Sequence, residues 1–265
     1  MMLLALMQAN SAVLDVDVNC EVINDAARKA AAAGARILVT PELFPVGYAP
    51  LKVRAGLDPA RLPSIRAILA GIARRNGIAL VYSLPEITAE GRWRITATLV
   101  DDQGVELLHY AKVHLFGAEE REVFEPADSA PDVVDFHGIK TALVICYDVE
   151  FPETVRAAAD RGAELVLVPT ALSQGFDSVP QILLRARALE SQLTVVYANH
   201  SGTEDGCQFL GGSVIAGPDG ALLASAGTRP ELLFAEVSAG EALKARDAVP
   251  YLRERRPHLY RDWES

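Results

Sequence analysis

The sequence predicts an α/β fold built in layers, with a mixed β-sheet core covered by helices in one domain. Three observations carry this prediction. Apolar, β-branched runs alternate with amphipathic stretches through the first half, the order of β-α-β units. Later runs pair instead across short polar turns, which adds antiparallel hairpins to the parallel part. No Pro/Gly/Ser-rich linker, composition shift or internal repeat divides the 265 residues.

Residues 2–9 are an apolar run, expected to be a buried first strand. A signal peptide competes, but no basic region leads it, Asp15 and Asp17 follow soon after, and no small-residue cleavage site is evident. Residues 19–33 read as a helix, with Asn19 near its start and Gly34 just past its end. ARILVTPE (35–42) is a short strand stopped by Pro41. A second helix spans 60–76 and a strand 77–84. Residues 93–113 give two strands around Asp102-Gln103-Gly104, and 132–146 repeats that shape, turning near His137-Gly138. A helix at 152–162 leads to the strand 164–169. A long helix at 178–192 leads to the buried strand 194–199. Residues 211–227 form a hairpin on the Pro218-Asp219-Gly220 turn. Residues 231–237 are the last strand, and a charged tail closes the chain.

Composition narrows the function. Lys and Arg number 25 against 35 Asp and Glu, a net charge of −10, which disfavours nucleic acid or an anionic membrane surface as partner. No window approaches the ~18 uninterrupted apolar residues of a membrane span. Half the chain is hydrophobic and 23% is charged, which excludes a disordered chain. The three cysteines cannot all pair and form no C-x-x-C, which argues against zinc and for a reducing cytosol. Phosphate-loop, dinucleotide, H-E-x-x-H and G-x-S-x-G signatures are absent, and the five histidines show no metal-ligand spacing.

Reactive side chains stand at the ends of three apolar strands. In TPELFP (40–45), Glu42 leaves a buried strand between Leu43, Phe44 and prolines. Poor solvation there raises a carboxyl toward neutrality and suits a general base; a loop glutamate salt-bridged to an arginine competes. In YAKVHLFG (110–117), Lys112 ends a strand, where a buried ammonium could stabilise an oxyanion; a solvated strand-end lysine competes. In TALVICYDVEFPE (141–153), Cys146 ends an apolar run and enters a tight turn before a helix that starts near Pro152. That placement suits a nucleophile, and an inert buried cysteine competes. Cys20, in an amphipathic helix, and Cys207, in a loop, are weaker candidates. A Cys-His dyad of Cys146 with His114 or His200 remains open on composition.

In this order, PELFPVGY, KVHLFG and CYDVEFPE resemble the nitrilase, or carbon–nitrogen hydrolase, superfamily. The likeness runs on through RGAELVLVPTA, RARALES, YANHSG and GGSVIAGPDG, and so covers nearly the whole chain. It implies a four-layer α-β-β-α sandwich, a single catalytic domain over 1–265 and a homodimer or higher oligomer, with the tail at about 249–265 available to cross a partner copy. It implies a catalytic Glu42, Lys112 and Cys146. A second family glutamate lies eight residues before the Asp of an F-x-P-G-D segment. Here that segment is Phe124-Glu125-Pro126-Ala127-Asp128, with Ala in place of Gly, so the count gives Glu120 and leaves Glu119 in competition.

CYDVEFPE looks most like the amidase branches, and HLFG and VPYL (249–252) are similar to 5-aminopentanamidases and stereoselective amidases. The implied reaction is hydrolysis of a small aliphatic or amino-acid-derived amide through a cysteine thioester, with no metal or organic cofactor. Glu42 would act as base, and Lys112 with the Tyr147 backbone N–H would hold the oxyanion. Tyr48, Phe151, Thr170, Ala171 and Phe176 stand on loops next to these segments and are candidates to line the pocket, with plain packing competing; Glu119, Glu150 and Asp177 are candidates to meet an amino group on the substrate, with solvated loop acids the competing reading. Nitrile hydrolysis and N-carbamoyl hydrolysis are the competing chemistries, and a non-catalytic binding protein on the same fold is the competing class.

Overall fold

The computed structural model describes residues 1–263. Along the chain come β1 (Met2–Gln8), α1 (Val16–Ala32), β2 (Ile37–Val39), α2 (Pro50–Gly56), α3 (Leu62–Asn76), β3 (Ala79–Ile87), β4 (Trp93–Val100), β5 (Glu106–Ala111) and α4 (Gly117–Val123). The second half gives β6 (Val133–Phe136), β7 (Ile139–Leu143), α5 (Pro152–Asp160), β8 (Leu165–Pro169), α6 (Leu184–Ser191) and β9 (Thr194–Ala198). Then follow β10 (Ser201–Glu204), β11 (Cys207–Leu210), β12 (Val214–Ala216), β13 (Leu222–Ser225), β14 (Glu231–Val237), α7 (Ala239–Ala248), α8 (Tyr251–Glu254) and α9 (Pro257–Trp263).

The strands form two six-stranded sheets, β14-β1-β2-β3-β4-β5 and β13-β12-β9-β8-β7-β6, with β10-β11 as a separate hairpin. In each sheet the three central strands run parallel, β1-β2-β3 and β7-β8-β9, and antiparallel strands flank them. The sheets pack face to face, β1 against β9 and both β2 and β3 against β8. Helices α1 and α3 cover one outer face, α5 and α6 the other. Strands buried on both faces read as continuous apolar runs, and β8 (LVLVP) and β9 (TVVYA) are buried at every position. The result is the expected α-β-β-α sandwich, with one hydrophobic cluster running through both sheets.

Local chemistry corrects several boundaries. The first helix starts at Val16, not near Asn19: Asp15 caps it by accepting the Val18 N–H. Asn19 is buried instead, exchanging hydrogen bonds with the Ala12 backbone and donating to the Pro45 carbonyl, so it ties down the loop that carries Glu42. The helix expected at 178–192 opens with a π-helical turn, Val179–Leu183, before α6. The strand expected at 77–84 continues to Ile87. The charged tail is helical: Gln192 donates to the Ala245 and Val249 carbonyls at the end of α7, and Arg246 donates to Ala163. Helices α2 and α4 and the β10-β11 hairpin have no counterpart among the expected elements. Among the described residues, no helix is long and apolar enough to cross a membrane.

Candidate active site

Strand ends from both sheets meet over the central parallel strands. Beyond β2, the Glu42 N–H donates to the Thr170 carbonyl at 3.2 Å, so a loop of the first sheet is tied to a loop of the second. Leu43 then turns the chain at φ 52°. Lys112 follows β5, its N–H donating to Ile95 and its carbonyl accepting from Ala127, both at 2.9 Å. Ala127 is not among the positive-φ positions, so the alanine that replaces the family glycine meets no backbone strain there. From β7 the chain runs on through Val144 and Ile145 into Cys146, which sits at φ 45°. For a residue with a Cβ, that left-handed geometry costs roughly 1–2 kcal/mol, which the surrounding packing must hold.

One buried carboxylate secures this turn. Asp148 accepts the Ile145 N–H at 3.3 Å, the His114 N–H at 2.8 Å and the Tyr110 hydroxyl at 2.9 Å, and it pairs with the His114 ring at 2.8 Å. It thereby joins the Cys146 turn to the Lys112 segment. From the opposite side Arg187 donates to the Val149 carbonyl at 3.0 Å and to Glu150 at 2.5 Å.

At the centre the Lys112 ammonium donates to Glu42 Oε1 at 2.7 Å and to both oxygens of Glu120 at 2.8 and 2.9 Å. Lys112 and Glu42 are 0% exposed and Glu120 1%. Glu120 lies in the first turn of α4, accepts the Phe116 N–H at 2.8 Å and takes the Tyr48 hydroxyl at 2.6 Å. Glu119, its neighbour, is exposed at the edge of a cavity of about 280 Å³. The carboxylate on the lysine is therefore that of Glu120.

Electrostatics follow from burial with few charges. Burial pushes Glu42 up to about 7, opposed by Lys112 and reinforced by Glu120. Burial alone would lower Lys112, but Glu42, Glu120 and Cys146 together raise it, so it stays charged. Burial and the Glu42 charge raise the Cys146 thiol well above its usual value, against Lys112 and a hydrogen bond from the Ala171 backbone. Glu42 Oε2 is buried without a hydrogen-bond partner. The resting arrangement is thus a neutral thiol beside a carboxyl poised near neutrality, with a fixed cation on that carboxyl's other oxygen. It can move one proton and hold one developing negative charge.

The other expected residues divide. Tyr48 and Ala171 join the cluster, and Thr170 touches it through its backbone. Phe151 stacks on His114 at 3.8 Å between ring centroids, and Tyr147 sets its edge against Phe151 and Phe116 at 4.9 and 5.2 Å. Phe176 meets Phe116 at 5.7 Å and is exposed, as is Asp177. Glu150 is half-buried, its carboxyl raised by burial. Cys20 is core, with its thiol pushed up to about 11 by burial and Asp17; Cys207 is half-buried at the cavity edge. No Cys-His dyad forms, because His114 is engaged by Asp148 and His200 by Glu204 and the Glu42 carbonyl. Tyr110, Asp148, Arg187 and the His200–Glu204 pair were not expected. For Asp148 the signal lies two residues past the cysteine; for Glu204, the last residue of the short polar strand β10, there is none.

Comparison with known proteins gives this geometry its context. The carbon–nitrogen hydrolase family model matches residues 3–247. A hydrolase encoded in the pqqF 5' region of Pseudomonas protegens is 37% identical over 262 residues, 98% of this chain and 91% of that protein. An (R)-stereoselective amidase from a Pseudomonas species is 33% identical, covering 83% of this chain and 79% of its own. Among solved structures, the amidase from Nesterenkonia sp. AN1 superposes with a TM-score of 0.93 at 46% identity, covering 99% of this chain and 100% of that one; there a glutamate-to-glutamine mutant shows the Michael addition of acrylamide at the active site cysteine. These matches agree with the sandwich, and the chain belongs to the carbon–nitrogen hydrolase family, on the amidase side of the nitrilase superfamily, with hydrolysis of non-peptide amide C–N bonds as its activity.

Proposed function

We propose that Cys146 attacks the amide, Glu42 moves the protons and Lys112 with the Tyr147 backbone N–H holds the oxyanion, on a small aliphatic or amino-acid-derived amide. The supporting observation is the buried Lys112 ammonium held between Glu42 and Glu120, with one Glu42 oxygen unpartnered and the Cys146 thiol beside it. Of the three cysteines, only Cys146 has such neighbours.

Glu42 Oε2 takes the thiol proton as sulfur bonds to the amide carbon. The carbonyl oxygen, now negative, is met by Lys112 and by an amide of the turn that opens at Cys146, where the first N–H groups have no intrahelical acceptor. As the tetrahedral adduct collapses, the C–N bond breaks, the departing nitrogen takes the proton from Glu42 and ammonia leaves. A thioester remains on Cys146. Glu42 then takes a proton from water, hydroxide adds to the thioester carbon, and the C–S bond breaks. The acid is released and Glu42 returns the proton to sulfur. Glu120 and Tyr48 fix the position of Lys112 throughout.

Residues 1–265 act as one catalytic domain, cytoplasmic and paired as a homodimer through surfaces that include the tail at 249–265; Tyr251 and Trp263 are exposed there. Light scattering at micromolar concentration tests the pairing, and a monomer peak counts against it. For the chemistry, intact mass after a short amide pulse should show an acyl adduct on Cys146, and Cys146→Ala should stop turnover without unfolding. An adduct elsewhere, or substantial residual turnover, rejects Cys146. Ammonia release from matched amides, nitriles and N-carbamoyl compounds separates the three chemistries.

A further inference from the structure

Against the backbone of Glu42 lies a second buried cluster that the reaction above does not use. His200 and Glu204 are both buried, His200 completely. The His200 Nε2 is 2.6 Å from the Glu42 carbonyl oxygen. That oxygen only accepts, so Nε2 carries a proton. The other ring nitrogen, Nδ1, is 2.6 Å from Glu204 Oε1. Glu204 also accepts the Ser11 N–H at 2.8 Å, the Ser11 hydroxyl at 2.5 Å and the Tyr48 N–H at 3.1 Å. A carboxyl that receives this many donors is an ionised one, so Nδ1 is a donor too and the ring is an imidazolium. Its faces support the charge. The ring lies between Phe44 and Phe209, with centroids at 5.4 and 4.9 Å and each pair tilted by 31°. Burial opposes the charge, but Glu204 outweighs it and holds His200 above its ordinary range, while His200 and Ser11 hold Glu204 below its own.

The pair reaches both ends of one loop. His200 grips the backbone of Glu42. Glu204 grips the backbone of Tyr48, whose hydroxyl holds Glu120 on Lys112. We propose that His200 and Glu204 are positioning residues for amide hydrolysis: a buried imidazolium–carboxylate clamp that sets the loop from Glu42 to Tyr48 and thereby the distance between the base, the lysine and the thiol. This rests on Glu42 being the base. Misplacing a reacting group by about 1 Å costs on the order of 10²-fold in rate, so the clamp acts on kcat.

The test compares His200→Leu, which removes the donor to the Glu42 carbonyl, with His200→Gln, whose amide reaches as far as Nε2 and restores it. His200→Leu should lose kcat by on the order of 10²-fold with KM changed by no more than about threefold, and His200→Gln should recover most of it. Wild-type kcat in His200→Leu overturns the clamp. So does an equal loss in both variants that follows their melting temperatures. Nitrogen NMR of the wild-type enzyme, with the His200 signal assigned by its absence in His200→Gln, needs neither variant to be active. Both ring nitrogens should be mostly protonated at pH 6.5, where an ordinary histidine is half deprotonated, and a bare Nδ1 overturns the ion pair. Glu42→Gln is the control: if it keeps activity, the base assignment fails, whatever His200 does; if it is inactive while His200→Leu is not, the clamp alone fails.

Discussion

Mild acid should switch this enzyme off along the titration of Glu42. The proposed reaction needs Glu42 as a carboxylate, and burial pushes its carboxyl up to about 7. The base is then about half formed at pH 7, roughly one-tenth formed at pH 6 and roughly one-hundredth at pH 5, so kcat/KM falls about fivefold from pH 7 to 6 and about tenfold from pH 6 to 5. A glutamate with the usual pKa near 4.3 would still be almost wholly ionised at pH 6. The sign for stability is opposite. A carboxyl raised in the fold favours the folded state at low pH and loses that contribution as pH rises through about 7. Loss of rate between pH 7 and 5 therefore does not come from unfolding driven by this group. The assay is ammonia release from a short aliphatic amide well below KM, with circular dichroism at each pH. Alkylation of Cys146 by iodoacetamide should follow the same limb, since the same base takes the thiol proton. An acid limb that breaks near 4.5, or a rate that stays flat to pH 5, would refute the assignment of Glu42.

Further outcomes are expected. Lys112→Met leaves two buried carboxylates facing each other. Breaking a buried pair costs about 3–5 kcal/mol, so the melting temperature should fall by on the order of 10 °C and kcat by about 10²–10³-fold; an unchanged melting temperature would reject the buried triad of charges. Asp148→Asn keeps the shape but weakens the bonds to His114, Tyr110 and Ile145. It should cost about 2 kcal/mol in urea unfolding and slow Cys146 alkylation together, because the same carboxylate holds the turn; stability loss without slower alkylation would separate Asp148 from the thiol. Cys20, with its thiol pushed up to about 11, should stay unlabelled by iodoacetamide at pH 7.5 until denaturant is added, as read by peptide mapping.

The layers were legible in sequence because buried strands must be apolar. The runs at β1, β8, β9 and β14 and the turns at His137-Gly138 and Pro218-Asp219-Gly220 are visible in one dimension. What escaped has physical reasons. Helices α2 and α4 are seven residues each, too short for a periodic pattern to stand out. Helix α7 buries only Ala242, and the Gln192 side-chain amide that holds the carbonyls at its end comes from far along the chain. Asn19 has the chemistry of a helix cap, but Asp15 takes that place and leaves Asn19 to the loop. At the site, Glu42, Lys112 and Cys146 were readable as reactive groups at strand ends. The choice of Glu120 over Glu119 needed the fold, because one helical step decides which faces the lysine. Apart from Ile145 and His200, which are close in sequence, the partners of Asp148 and Glu204 come from distant strands and loops, which no local spacing records.

The sharing of the site between two sheets has a consequence for how this protein matures. Glu42 and Lys112 leave the first sheet and Cys146 leaves the second, so neither half carries a working centre. Circular dichroism reports strands wherever they form, whereas turnover can return only when the two faces have closed on each other. During refolding, the lag between the two signals is a clock for sandwich closure, read by the enzyme on itself.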